Sequence, residues 1–269
     1  MASPDEQPPI NILERSRADW NAESRAQSCR WCVPVDRATI ARARSGDWEV
    51  VLTPNLPVPR AWFGEVRGRD VLCLASGGGQ QAPVLAAAGA RVTSYDLSDG
   101  QLARDHEVAE REGLPLTCVR GDMADLSALA DGSFDLIFHP VSNAYAEDVR
   151  PVWAECFRVL RPGGALLAGF ANPMLYLFDH DEALQSGQLV VKYPLPYSDL
   201  TCPDPAARQR WLESGQAASF SHSLDAQIGG QLAVGFVLTG LYEDRRSDDI
   251  TPLNRYSPLY LATRALKPL

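Results

Sequence analysis

The chain has 269 residues, 45% of them apolar and 22% charged, which is enough to bury a sizeable core in one α/β domain with additions. Its formal net charge is −9 and it has no lysine- or arginine-rich run. That argues against a nucleic-acid partner, because such binding rests on neutralising phosphates. The start Met1-Ala2-Ser3-Pro4-Asp5-Glu6 has no apolar signal core, and the longest apolar stretch, 165–178, is interrupted by Asn172-Pro173. A cytoplasmic protein with no membrane partner is therefore expected.

In chain order, residues 1–10 read as a mobile tail. Residues 11–60 carry Trp20, Trp31 and Trp48, a helical stretch over 35–45 and a proline-stiffened connector over 53–59. Together, 1–60 form an expected N-terminal helical cap. Val71-Leu72-Cys73-Leu74 reads as a buried strand that runs into Ala75-Ser76-Gly77-Gly78-Gly79-Gln80-Gln81. A helix follows over 82–88 and stops at Gly89. A turn of this kind presents backbone N–H groups and a helix N-terminus to a nucleotide-like ligand. Arg91-Val92-Thr93-Ser94-Tyr95 is the second strand and ends on Asp96, where a carboxylate takes both hydroxyls of a ribose. Ser98 and Gln101 are spaced as a capping box for the next helix, which leaves Asp96 free for that role. The third strand is 116–120, followed by Gly121-Asp122-Met123. The fourth is 133–138, followed by His139. A helix over 152–160 leads to a turn at Arg161-Pro162-Gly163-Gly164 and a fifth strand over 165–170. Residues 171–224 are rich in turn formers and have little periodicity, with a loop over 199–205. A helix over 223–234 precedes strands at 236–243 and 259–264.

The glycine turn, Asp96, Gly121-Asp122, Phe134-Asp135-Leu136-Ile137-Phe138 and Arg161-Pro162-Gly163-Gly164 resemble, in order and distance, the class I S-adenosylmethionine (SAM) dependent methyltransferases. The resemblance is close over 66–170, looser over 225–269, and closest to a bacterial small-molecule branch. It implies a Rossmann-like, mainly parallel seven-stranded sheet of order 3-2-1-4-5-7-6, with helices on both faces and strand 7 antiparallel. It also divides the chain into the cap (1–60), a SAM-binding core (61–170), a substrate-cover insertion (171–224) and closing elements (225–269).

The implied cofactor is SAM, with S-adenosylhomocysteine (SAH) as product. The expected cofactor residues are Ala75, Ser76, Gly77, Gly79, Gln81, Asp96, Leu97, Gln101, Asp122, Met123 and His139. By resemblance, Leu97 and Gln101 line the ribose and adenine side, Asp122 faces the adenine amino group, and Met123 flanks the ring. Two positions depart from the family. Ala75 stands at its usual first glycine, which is tolerable at negative φ, and Cys73 stands where an acid is common. His139 falls where the transferred methyl is expected, either touching the methionine end or serving as a general base. Trp31, Asn143, Asn172 and Tyr176 are expected to meet the acceptor, with Tyr145 a further polar group there, whereas Trp62 pins the N-terminal segment.

Cys29-Arg30-Trp31-Cys32 lacks the second ligand pair of a zinc site, so two ordinary thiols and no metal are expected. The expected reaction is methyl transfer to a small-molecule acceptor by a monomer or homodimer. Two alternatives carry weight. Gly77-Gly78-Gly79-Gln80-Gln81-Ala82 also fits the G-x-G-x-x-A turn of an NAD-dependent oxidoreductase, and a SAM-binding partner protein without turnover would share the same fold.

Overall fold

The computed structural model describes residues 10–246 and 251–269. The tail expected over 1–10 lies outside them except for Ile10. Seven strands form one sheet: β1 (Asp70–Leu74), β2 (Arg91–Asp96), β3 (Leu116–Arg120), β4 (Phe134–His139), β5 (Leu160–Ala171), β6 (Val237–Asp244) and β7 (Tyr260–Leu266). Their order is β3-β2-β1-β4-β5-β7-β6, as expected. The first five pair in parallel, and β7 runs antiparallel to both of its neighbours.

The central strands are apolar on both faces because helices cover both faces. In β1, Val71 and Cys73 join a layer with α2 (Arg37–Arg44) and α4 (Gln81–Ala87). The alternate residues Leu72 and Leu74 join the layer built on α6 (Arg150–Val159), with Trp153 fully buried. α5 (Asp99–Glu112) is capped by the Ser98 side chain, which accepts from Gln101 N at 3.2 Å. The reciprocal bond of a capping box is absent. Ser98 N donates instead to Asp96 Oδ1 at 2.8 Å, so Asp96 does take part in the cap through one oxygen.

The turn expected at 161–164 is part of β5, which runs unbroken from Leu160 because its start pairs with Phe134 and Gly163 N donates to Lys267 O at 2.8 Å. The helix expected over 223–234 begins as a π turn (Asp225–Gly229) and continues into α9 (Gly230–Ala233). The loop expected over 199–205 contains a 3₁₀ turn (Asp199–Thr201) and leads into α8 (Pro205–Ser214). α7 (His180–Ser186) lies in the same insertion.

Before β1 come α1 (Ile12–Ala26), α2 and the single turn α3 (Arg60–Phe63). α1 lies along α5. The Asn21 amide oxygen accepts from Ser98 Oγ and Gly100 N, both at 2.8 Å, and Ser24 O accepts from Arg104 at 3.0 Å. At its other end, Arg15 stacks over the Trp211 ring at 4.3 Å and donates to Gln216 O at 2.6 Å, while Asp19 accepts from Ala217 N at 2.8 Å. The N-terminal segment and the insertion are thereby joined above the C-terminal ends of the strands.

The connector after α2 lies against the sheet at Gly169, where an added Cβ would fall 2.1 Å from the Leu52 carbonyl oxygen. Gly169→Ala is expected to lower stability by about 1–3 kcal/mol through overpacking, read from the urea midpoint. An unchanged midpoint would show that the connector does not rest on β5.

Candidate functional site

A cavity of about 250 Å³ opens beyond the C-terminal ends of β1, β2, β3 and β4. This is the switch point of the sheet, where open α/β folds bind their ligands. The cavity brings together Ala75, Ser76, Gly77, Asp96, Leu97, Gln101, Asp122 and Met123, with Trp31, Tyr145 and Tyr176 opposite.

Asp96 is enclosed with no cation on it, and burial pushes its carboxyl up to about 7 against the pull of the Ser98 and Leu97 N–H groups. Asp122 follows β3 and keeps one oxygen on Ala124 N at 3.0 Å. Two polar side-chain atoms facing this end are buried without a partner, Ser76 Oγ and Gln101 Oε1. A buried orphan of this kind costs about 1–3 kcal/mol, so both suit atoms that become satisfied when a ligand enters.

The glycine turn is held from outside the strand-helix unit. Gly78 N donates to Trp31 O at 3.1 Å, Gly79 N donates to Asp105 Oδ1 at 2.6 Å, and Val35 N donates to Gly79 O at 2.8 Å. The other oxygen of Asp105 accepts from Ser94 Oγ at 2.6 Å, and burial pushes this carboxyl up to about 7 as well. Trp31 lies so close to Gly77, at φ +75, that an added Cβ would fall 2.9 Å from its carbonyl oxygen. The pyrophosphate of a dinucleotide needs the N–H groups of this turn. Here those of Gly78 and Gly79 are already spent on protein acceptors, which removes the main support for the NAD reading.

Ala75 departs from expectation. Its φ is +47, in the left-handed region, rather than negative. The strand must turn sharply there while Ala75 N stays bonded to Tyr95 O at 2.8 Å.

Five expected residues do not line the cavity. Gly79 is covered by Pro34, and Gln81 accepts from Val51 N at 3.2 Å beneath the connector. Asn172 caps the 3₁₀ turn (Pro173–Leu177) through Met174 N at 3.1 Å. Asn143 is fully buried, donating to Gln227 Oε1 at 2.8 Å, with its own Oδ1 unpartnered. His139 is the last residue of β4 and fully buried, with Nδ1 2.9 Å from Leu74 O and its ring edge-on to Trp153. Burial lowers its pKa to about 4. Trp62 packs on Tyr242 at 5.3 Å, away from the cavity.

The cavity-lining residues that sequence reading missed come mostly from the N-terminal segment: Leu13, Ser16 and Trp20 of α1 and Thr53, joined by Ser219, Arg246 and Tyr260. Trp20 meets Tyr145 edge-to-face at 5.3 Å. The Asn11 cap of α1 and the placement of Trp20 about two turns into the helix were the available signals.

A seven-stranded sheet of this order, with a cleft acid at the end of β2 and a second at the end of β3, defines a SAM-dependent methyltransferase. A methyltransferase-domain family profile matches residues 72–168. Over 237 residues the chain is 47% identical to "Uncharacterized methyltransferase YbaJ" of Bacillus subtilis (strain 168), covering 88% of this chain and 91% of that one. The chain belongs to this methyltransferase family. Two solved structures share the fold. Geranyl diphosphate C-methyltransferase from Streptomyces coelicolor A3(2), with Mg2+, geranyl diphosphate and SAH, aligns at TM-score 0.61 and 15% identity over 97% of this chain and 100% of that one. Burkholderia thailandensis 1,6-didemethyltoxoflavin-N1-methyltransferase, with 1,6-didemethyltoxoflavin and SAH, aligns at TM-score 0.58 and 16% identity over 99% and 95%. The chain's cofactor is SAM, and the donor set fits it: a carboxylate for ribose hydroxyls, a second at the neighbouring strand end, and two orphaned polar atoms.

In the ribose-binding role expected of it, Asp96 must be ionised to accept from both hydroxyls. Its pKa in the free protein lies near 7, so cofactor binding releases a proton at lower pH. SAH affinity is expected to be flat above that pH and to weaken by up to about tenfold per unit below it. Titration calorimetry from pH 8 down to 5.5 would check this, with Asp96→Asn weaker and flatter. A wild-type affinity independent of pH would contradict the assignment. Ala75→Gly should stabilise the fold by about 0.5–1 kcal/mol, relieving roughly 1–2 kcal/mol of left-handed strain at some cost in unfolded-chain entropy. Thermal unfolding reads this directly, and a lower midpoint would disprove it.

Proposed function

We propose that the chain transfers the SAM methyl group to a small-molecule acceptor held between its N-terminal segment and its insertion. The observation that carries this reading is that the chain's own cover encloses the acceptor side of the cavity. Trp20 and Ser16 come from α1, Tyr176 and Ser219 from the insertion, Arg246 from just beyond β6 and Tyr260 from the start of β7. Arg15 and Asp19 tie the two covering segments together. A folded macromolecule would need an open face, whereas this space fits a compact and partly apolar molecule. The two neighbours named for small acceptors, geranyl diphosphate and 1,6-didemethyltoxoflavin, support the same class.

SAM supplies an electrophilic methyl, so the protein's part is to bind, align and exclude water. In this reading Asp96, Leu97, Asp122 and Met123 hold the adenosine, and Ser76 with Gln101 takes polar atoms nearer the sulfur. Burial holds the Tyr145 and Tyr176 phenols above their ordinary range, Tyr176 at about 12. Both therefore stay protonated and donate hydrogen bonds that orient the acceptor. Tyr176 is further steadied by Ser219 Oγ at 2.9 Å.

His139 is a positioning residue. It ties the end of β4 to Leu74, one residue before the glycine turn, and a pKa of about 4 makes it a poor base at neutral pH. The six free cysteines fit a reducing cytoplasm.

Incubation with methyl-labelled SAM and a cell extract is expected to place label in the low-molecular-mass fraction. Label confined to protein or RNA would overturn the acceptor class. His139→Ala should cost about 2–4 kcal/mol of stability and raise KM for SAM, while the rate-pH profile keeps its shape. Loss of an ionisation from that profile would restore the general-base role.

A further inference from the structure

The Cys29-Arg30-Trp31-Cys32 motif is not used by the reaction as described. Cys29 caps the 3₁₀ turn (Arg30–Cys32), which closes through Cys32 N to Cys29 O at 3.0 Å, and the two Sγ atoms stand 3.0 Å apart. Cys29 is partly exposed and Cys32 is buried. A disulfide has its sulfurs about 2.05 Å apart, so the pair closes with about 1 Å of movement.

The turn is tied at two points to the cofactor cavity and at a third to the start of the helix behind it. Trp31, between the two cysteines, lines the cavity and accepts from Gly78 N. Cys32 Sγ accepts from Gln101 Nε2 at 3.3 Å, and Gln101 lines the cavity. Gln80, at the start of α4, donates to Arg30 O and to Val33 O.

We propose that Cys29 and Cys32 form a reversible intramolecular disulfide by exchange with a low-molecular-mass disulfide, and that the oxidised turn holds the cofactor more tightly than the reduced one. The inference rests on reading the cavity as the cofactor site. In the first step the Cys29 thiolate attacks one sulfur of the small disulfide RSSR, forming Cys29–S–SR and releasing RS⁻. In the second step Cys32 attacks Sγ of Cys29, its proton leaves with the departing sulfur as RSH, and the Cys29–Cys32 bond forms. Two electrons pass from the cysteine pair to RSSR, which ends as two thiols.

Cys29 attacks because it is the accessible thiol, while burial and the neighbouring Cys29 push the Cys32 thiol up to about 12. Cys32 resolves the mixed disulfide because it already stands in contact. The covalent turn freezes the Trp31 carbonyl and ring against Gly77 and Gly78. The freedom that the Trp31 ring and carbonyl keep between two unlinked thiols is then removed before the cofactor arrives, so less ordering is left for binding to supply.

The test uses the full-length protein, oxidised glutathione as RSSR, and SAH as probe. Peptide mass mapping is expected to show loss of two hydrogens between Cys29 and Cys32, restored by dithiothreitol. Calorimetry should give an SAH dissociation constant about 2–10-fold lower for the oxidised protein. Cys29→Ser should bind SAH as the reduced wild type does, and Cys29→Ser and Cys32→Ser should each show no change in SAH binding on treatment with oxidised glutathione. Absence of the disulfide, or its formation with equal or weaker SAH binding, would overturn the proposal. Unchanged SAH binding in Asp96→Ala would instead bring down the cofactor-site reading beneath it.

Discussion

The Gly79 peptide is the joint on which the rest of the site depends. Its N–H is held from behind by the buried Asp105 carboxylate and its carbonyl from above by Val35 N, while Gly78 next to it is bonded to Trp31 O. The two peptide groups that flank Gly79 therefore fix the strand-helix turn, α5 and the N-terminal segment relative to one another. Because both ends of the Asp105 carboxylate are used at 2.6 Å, on Gly79 and Ser94, the turn has little freedom to reshape around a ligand. The glycine-turn wall of the cavity is thus set before the cofactor enters, and preset geometry is the condition under which alignment contributes most to a methyl transfer.

The electrostatics of the site follow from how these acids are buried. Asp96 and Asp105 each have a pKa of about 7 because burial penalises their charge, and only hydrogen bonds, not cations, oppose that penalty. Cys73 on β1 and Cys118 on β3 both feel Asp105, and both thiols are raised, chiefly by burial and further by that acid. The strand positions around the glycine turn are therefore filled by neutral thiols where another acid would add charge to a desolvated region. That gives Cys73 a physical role at the position where the family commonly carries an acid. It keeps the number of uncompensated charges beneath the turn small.

The cover is held by a different kind of contact from the sheet. α1 turns Ser16 and Ser24 inward, and its links to α5 and to the 211–217 stretch are made by Asn21, Ser24, Arg15 and Asp19. Polar links of this sort contribute roughly 0.5–1.5 kcal/mol each, less than the burial of a core leucine or phenylalanine. A covering layer held in this way separates from the sheet at lower cost than a strand does, which suits a segment that admits and releases ligands.

The strands, the turns between them and the cleft acids at the ends of β2 and β3 were legible in the sequence because they rest on local rules, while the sheet order followed from the family resemblance that those motifs carry. Alternation of buried residues marks β1, β2 and β4, glycines mark the turns, and an acid at the end of β2 falls in the cleft whatever surrounds it. Residues whose roles depend on distant partners were not legible. α1 escaped because its buried face is serine rather than leucine, so no apolar period announced it. Gln81, Asn143 and Asn172 have the right polarity and the right place in the chain for a site, yet their partners are Val51 N, Gln227 and Met174 N. His139 sits at the correct strand end, but the side chain of a strand's last residue points to one face or the other, and here it points to Leu74 and Trp153. Sequence alone determined the strand ends, the glycine turn and the acids that follow from them. Only the tertiary structure decided which polar side chains face the cavity, because a hydrogen-bonding group is claimed by whichever partner the folded chain brings within about 3 Å.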